Sequence, residues 1–150
     1  MKWRVWLQSL VVILLGVIIV LGGNEIILAQ SGYPFPKDEY VNDYADVLES
    51  DDRKVITDQL IQLRLEQGIQ GTVLTIHSIE DYNTGDKTLE DFATNLFNTW
   101  GIGNKERNDG FLILVAVDDR KVRIELGKGY GNRLNRNVRE VINREMTGIS

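Results

Sequence analysis

The 150-residue chain has no cysteine, a single histidine and only two prolines. Without cysteine there is no disulfide framework, no thiolate nucleophile and no sulfur-ligated metal centre. His77 alone cannot build a multi-histidine zinc site, and it weakens a Ser-His-Asp reading. Excess positive charge is missing too. The formal net charge is −5, and no basic patch interrupts it, which excludes nucleic acid as the expected partner. Both prolines fall within Ser31–Pro36, so the rest of the chain is free to form regular structure.

What the chain does have begins at its N-terminus. Lys2 and Arg4 precede an apolar run from Leu10 to Leu21 that only Gly16 breaks, and Ile26–Ala29 adds a second short apolar patch. A positively charged start and an apolar run of this length match a secretory signal peptide, whereas a membrane span needs roughly 20 residues. Cleavage after Ala29 fits, although Ile27 departs from the A-x-A pattern. Counted from Trp3, the stretch also suits an uncleaved signal anchor that would hold the protein to a membrane. Residues 1–30 are therefore read as signal peptide or signal anchor, and the domain as exported. Those residues carry Lys2, Arg4 and Glu25, so the remainder has a net charge of −6.

Residues 31–39, with SGYPFP at their start, read as an extended linker. In Tyr40–Leu48 the apolar Val41, Tyr44 and Val47 alternate with Asn42, Asp43 and Asp46. Ser50 is a good N-cap, and Val55, Ile56, Leu60 and Leu63 recur at helical spacing up to Gly68, which predicts a helix over 51–67. Gly71–Ile76 is β-branched and reads as a buried strand. Thr88 opens a second helix with a T-x-x-D box closed by Asp91, and its apolar stripe ends at Trp100 before Gly101. Phe111–Val117 is seven apolar residues, the pattern of a strand buried on both faces. Asp118, Asp119, Arg120 and Lys121 then turn the chain into a half-solvated strand in which Val122, Ile124 and Leu126 alternate with Arg123 and Glu125. The glycines of GKGYG, residues 127–131, are read as a source of flexibility, and a last helix is expected over about 137–146.

A strand, a covering helix and a second strand imply a parallel β-α-β crossover. The ends of both strands then share one sheet edge with the start of the first helix. Asp43, Asp46, Asp118 and Asp119 meet there, together with His77, Ser78, Glu80 and Asp81. Turn chemistry alone accounts for acidic residues in a hairpin. Three acidic segments on one edge, however, repel one another unless a cation is present, and oxygen ligands suit Ca²⁺ or Mg²⁺. Asp118, Asp119, Asp43 and Asp46 are the candidate ligands. Arg120 is the candidate phosphate-binding residue, and no residue stands out as a catalytic nucleophile.

YVNDYADVL, WGIGN, NDGFLILVAVDDRKVRIELG and GYG together resemble the TPM domain family, whose members include YgcG-like bacterial proteins and thylakoid-lumen photosystem II repair proteins. The resemblance spans about residues 40–146. It implies an α/β fold, a three-layer α/β/α sandwich with a small, mixed, mostly parallel sheet and an antiparallel hairpin edge. It also implies an extracytoplasmic place in periplasm, thylakoid lumen or at the cell surface, divalent-cation binding and, for some members, acid phosphatase activity. The acidic hairpin matches Asp118 and Asp119, its basic neighbour matches Arg120, and Asp43 matches the aspartate of the N-D-Y-A segment. Family domains usually continue past the last helix. Residues 147–150 form only a short tail here, so a truncated member is expected. Two functions follow as expectations: a cation-binding interaction domain that helps assemble, repair or maintain a membrane protein complex, and a metal-dependent acid phosphatase acting on phosphomonoesters.

Overall fold

The computed structural model describes residues 32–131 together with Arg136 and Glu140. The expected signal segment, the tail and, apart from Glu140, the last helix lie outside the described residues. Among those described, no helix is long and apolar enough to cross a membrane.

Among the described residues four strands form one sheet in chain order: β1 (Val41–Asp43), β2 (Gly71–Ile76), β3 (Phe111–Ala116) and β4 (Lys121–Leu126). The first three are parallel and β4 is antiparallel to β3, with Phe111 opposite Leu126 and Ala116 opposite Lys121. Helix α1 (Ser50–Gln67) joins β1 to β2, and helix α2 (Leu89–Trp100) joins β2 to β3. The mixed α/β sheet with its hairpin edge matches the expected fold class.

Helix α2 buries Leu89, Phe92, Ala93 and Leu96 against Leu74, Ile76, Leu112, Leu114 and Ala116. Each large side chain fully removed from water there stabilises the fold by about 1.5–3 kcal/mol. The Thr88 hydroxyl accepts from the Asp91 N–H at 3.0 Å, as the T-x-x-D box requires. Neighbouring strand residues point to opposite faces, so Val41 and Val73 lie on the other side of the sheet, where α1 covers them with Leu60. Leu60 is the only buried residue of α1.

Several local expectations change. Strand β3 alternates between half-buried and buried residues instead of being buried on both faces. The cause is placement: α1 rests mainly on β1 and β2, which leaves Phe111, Ile113 and Val115 partly open among the described residues. Ser50 is the first helical residue, and Glu49, at the cap position, makes no side-chain cap bond. The stretch expected as a linker is pinned to the domain. The Tyr33 ring meets Phe92 edge-on at 5.1 Å, and the Trp100 indole N–H donates to the Pro34 carbonyl at 2.9 Å. Asn42, 1% exposed, closes the strap by accepting from the Lys37 and Asp38 N–H groups.

The glycines after β4 serve close approach. A Cβ on Gly127 would overlap the Asn108 carbonyl oxygen, and one on Gly129 the Arg107 carbonyl oxygen. The Gly127 and Gly129 N–H groups donate to Gly110 and Asn108 at 2.8 and 2.9 Å, and the Tyr130 hydroxyl donates to the Asp109 carbonyl. This segment therefore clamps the 103–110 loop, and bare backbone is what allows it.

Candidate functional site

The C-terminal ends of β1, β2 and β3 share one sheet edge, the place where open α/β sheets bind ligands. The loop after β1 is organised by Asp43. Its side chain has no solvent exposure and accepts from the Val47 and Leu48 N–H groups at 3.2 and 3.0 Å, from Arg53 at 3.1 Å and from the Thr75 hydroxyl. Desolvation pushes the Asp43 pKa up, but the donors from Thr75, Leu48 and Val47 and the Arg53 charge outweigh it, and the net shift is downward. An ionised carboxylate offers about four acceptor positions. Here all four are taken.

Asp119 has a similar role on the next loop. Its carboxylate accepts from the Ser78 hydroxyl at 2.8 Å and from the Ile79 N–H at 3.2 Å, which ties the hairpin turn to the segment after β2. Ser78 also caps a single 3-10 turn, Ile79–Asp81, in a reciprocal box with Asp81. The Asp118 N–H donates to the His77 carbonyl at 2.9 Å, while its exposed side chain lies 3.6 Å from the His77 ring.

The four expected metal ligands thus divide by role. Asp43 and Asp119 are bonded to donors that fix the loops, whereas Asp46 and Asp118 are exposed to solvent. Among the described residues no three Asp, Glu or His side chains gather around a common point. The residues do not fit a closed site made from all four. Asp46 and Arg120, both on this edge, have left-handed backbones with φ of 54° and 51°. Such strain in non-glycine residues concentrates where function holds it in place. Arg120 is exposed and makes no ion pair among the described residues.

Among the described residues no activated nucleophile is assembled here. The Ser78 hydroxyl is spent on Asp119 and on the Glu80 N–H, and no hydrogen bond joins it to His77. The sequence reading missed Arg53 and Thr75 as partners of Asp43. Arg53 lies ten positions away with no pattern to link them, whereas the Ser78–Asp81 box is a legible capping signal.

A family model described as TPM domain, and labelled TPM_phosphatase, matches residues 41–148. The solution structure of the N-terminal domain of a P. gingivalis protein is similar, with a TM-score of 0.60 and 31% identity over 72% of this chain. The chain spans 66% of that domain's length, just under two thirds. The N-terminal domain of the cg2496 protein from Corynebacterium glutamicum shares the fold at a TM-score of 0.57 and 14% identity, over 77% of this chain and 72% of that one. No curated protein matches. The family match over residues 41–148, well over half of the chain, shows that the chain belongs to the TPM domain family.

Proposed function

We propose that the protein is an exported interaction domain whose C-terminal sheet edge binds a divalent cation weakly and engages a partner within a membrane protein complex. The observation that carries this reading is the division of the rim carboxylates. Asp43 and Asp119 hold two loops rigid, and on those loops Asp46, Asp118 and Arg120 stand exposed. Export rests on the charged and apolar N-terminal residues. Ca²⁺ or Mg²⁺ would be held by Asp118 and Asp46 with water completing its shell, as hard cations at exposed sites require, with a dissociation constant on the order of 1 mM. When bound, the ion supplies positive charge to the rim. Asp43 and Asp119 keep the loops in place with or without it.

Thermal unfolding with added cation tests the proposal. At 10 mM Ca²⁺ such a site stabilises the fold by about 1.4 kcal/mol, a rise of roughly 6–11 °C in a domain of up to about 100 residues. The Asp118→Asn protein should lose that rise. An unchanged melting temperature, or an equal rise in Asp118→Asn, contradicts the cation site.

Metal-dependent phosphatase activity is the second reading, favoured by the guanidinium of Arg120, which makes no ion pair among the described residues, beside two carboxylates, and by the label of the matching family model. Against it stands the engagement of Ser78 as a cap. Turnover of p-nitrophenyl phosphate that needs Mg²⁺ or Ca²⁺ and disappears in Asp118→Asn/Asp119→Asn would establish the enzymatic reading. Its absence leaves the binding role.

A further inference from the structure

One face of the β3–β4 hairpin is apolar and, among the described residues, only partly covered. Register sets Phe111 opposite Leu126, Ile113 opposite Ile124 and Val115 opposite Val122, so these six side chains form three rows on one side of the sheet. All six are half-buried. The residues between them point the other way. Leu112 and Leu114 are buried with α2, and Arg123 reaches Glu90 of that helix at 3.5 Å. Helix α1 shares the side of the three rows, but it lies over β1 and β2, and its cluster takes in only Phe111 and Ile113. Among the described residues Val115, Val122, Ile124 and Leu126 belong to neither packed cluster.

The chain itself offers a cover. After β4, the glycine clamp and the 3-10 turn Lys128–Tyr130 fix the chain at the Leu126 end of the rows. From there Leu134, Val138, Val141 and Ile142 recur at i, i+4, i+7 and i+8, the spacing of one apolar helix face. Glu145 falls on the same side, so the wholly apolar face closes at Ile142. Arg136 and Glu140, which are helical and exposed, fall on the opposite side of that spacing. The lengths agree as well. Leu134 to Ile142 rises about 12 Å as a helix, and Leu126 to Val122 spans about 14 Å as a strand.

We infer that residues 132–146 form a helix that lays Leu134, Val138, Val141 and Ile142 over the three rows. Starting from the clamp, it runs antiparallel to β4. Leu134 then meets Phe111 and Leu126, Val138 meets Ile113 and Ile124, and Val141 with Ile142 meets Val115 and Val122. Arg136, Glu140 and Asn143 face water. With this segment seated beside α1, this side of the hairpin offers no apolar surface to a second protein. The inference does not rest on a cation at the rim.

Because the chain has no cysteine, a pair introduced into the full chain reports this contact without background. Ile124→Cys/Val138→Cys, treated with a short dimaleimide and followed by denaturing gel and mass spectrometry, should give an adduct within one chain. Ile124→Cys/Arg136→Cys, with its second thiol on the far side of the helix, should not. In thermal unfolding Val141→Asp should lower the melting temperature by about 10 °C or more, whereas Asn143→Asp should leave it unchanged. The cysteine pairs decide the matter if Val141→Asp fails to fold. No adduct from Ile124→Cys/Val138→Cys, or an equal yield from Ile124→Cys/Arg136→Cys, overturns the inference. So does an adduct formed only between chains, which would put a second copy on this face.

Discussion

Replacing Asp43 by alanine tests how the rim is held. The side chain is fully buried and accepts four hydrogen bonds, from Thr75, Val47, Leu48 and Arg53. Truncation leaves the half-buried Leu48 N–H without its acceptor, which costs about 1–3 kcal/mol. Arg53 is 44% exposed and regains water, so its lost ion pair adds at most about 1 kcal/mol. With the looser Val47 and Thr75 contacts, the expected total is about 3 kcal/mol, or a fall of more than about 10 °C in melting temperature. Urea unfolding followed by circular dichroism at pH 7 measures it. The contribution depends on pH with a definite sign. Because the folded pKa lies below the ordinary carboxylate value, the stabilisation is present above about pH 4 and is lost as pH falls through the folded value. The parent and Asp43→Ala should therefore converge in stability as acid is added. A loss below about 0.5 kcal/mol at pH 7, or a difference that does not shrink in acid, refutes the assignment.

Other outcomes follow from the packing. Gly127→Ala should destabilise by about 1–3 kcal/mol in urea unfolding, because the new methyl overlaps the Asn108 carbonyl; a neutral result would mean the clamp is slack. Leu60→Ala should cost about 2–5 kcal/mol, whereas Leu65→Ala, at 80% exposure, should stay within about 0.5 kcal/mol. Burial and the neighbouring Asp86 push Tyr33 up to about 12, so a spectrophotometric titration should show a step near that pH that loses the absorbance of one tyrosine in Tyr33→Phe. Since its folded pKa is raised, the stability Tyr33 contributes is complete below about pH 10 and disappears as pH rises through 12.

Much of the fold was legible because its elements carry strong local signals. The stripe from Leu89 to Trp100 and the Thr88 cap placed α2, and the acidic turn after Ala116 placed the hairpin. β1 was missed because three residues are too few to show a strand period, and it exists by pairing with β2. The 32–39 strap was misread because prolines in an extended segment say nothing of what the segment packs on. Gly127 and Gly129 looked flexible in sequence, since close approach of distant backbone leaves no local trace. At the rim, topology was enough to put the acidic segments on one sheet edge, but among the described residues no three of their side chains gather around a common point. The roles of individual aspartates were not legible, because a carboxylate held by Arg53 or Ser78 reads the same as an exposed one.

The central claim is that the exposed rim carboxylates, held by Asp43 and Asp119, form a cation site. Its most direct test is a Ca²⁺ titration followed by amide chemical shifts in ¹⁵N-labelled protein. Saturable shifts confined to Asp46, His77, Asp118 and their neighbours, absent in Asp118→Asn, are the predicted result. Unchanged amides at this edge up to 10 mM Ca²⁺, or shifts that persist in Asp118→Asn, would contradict it.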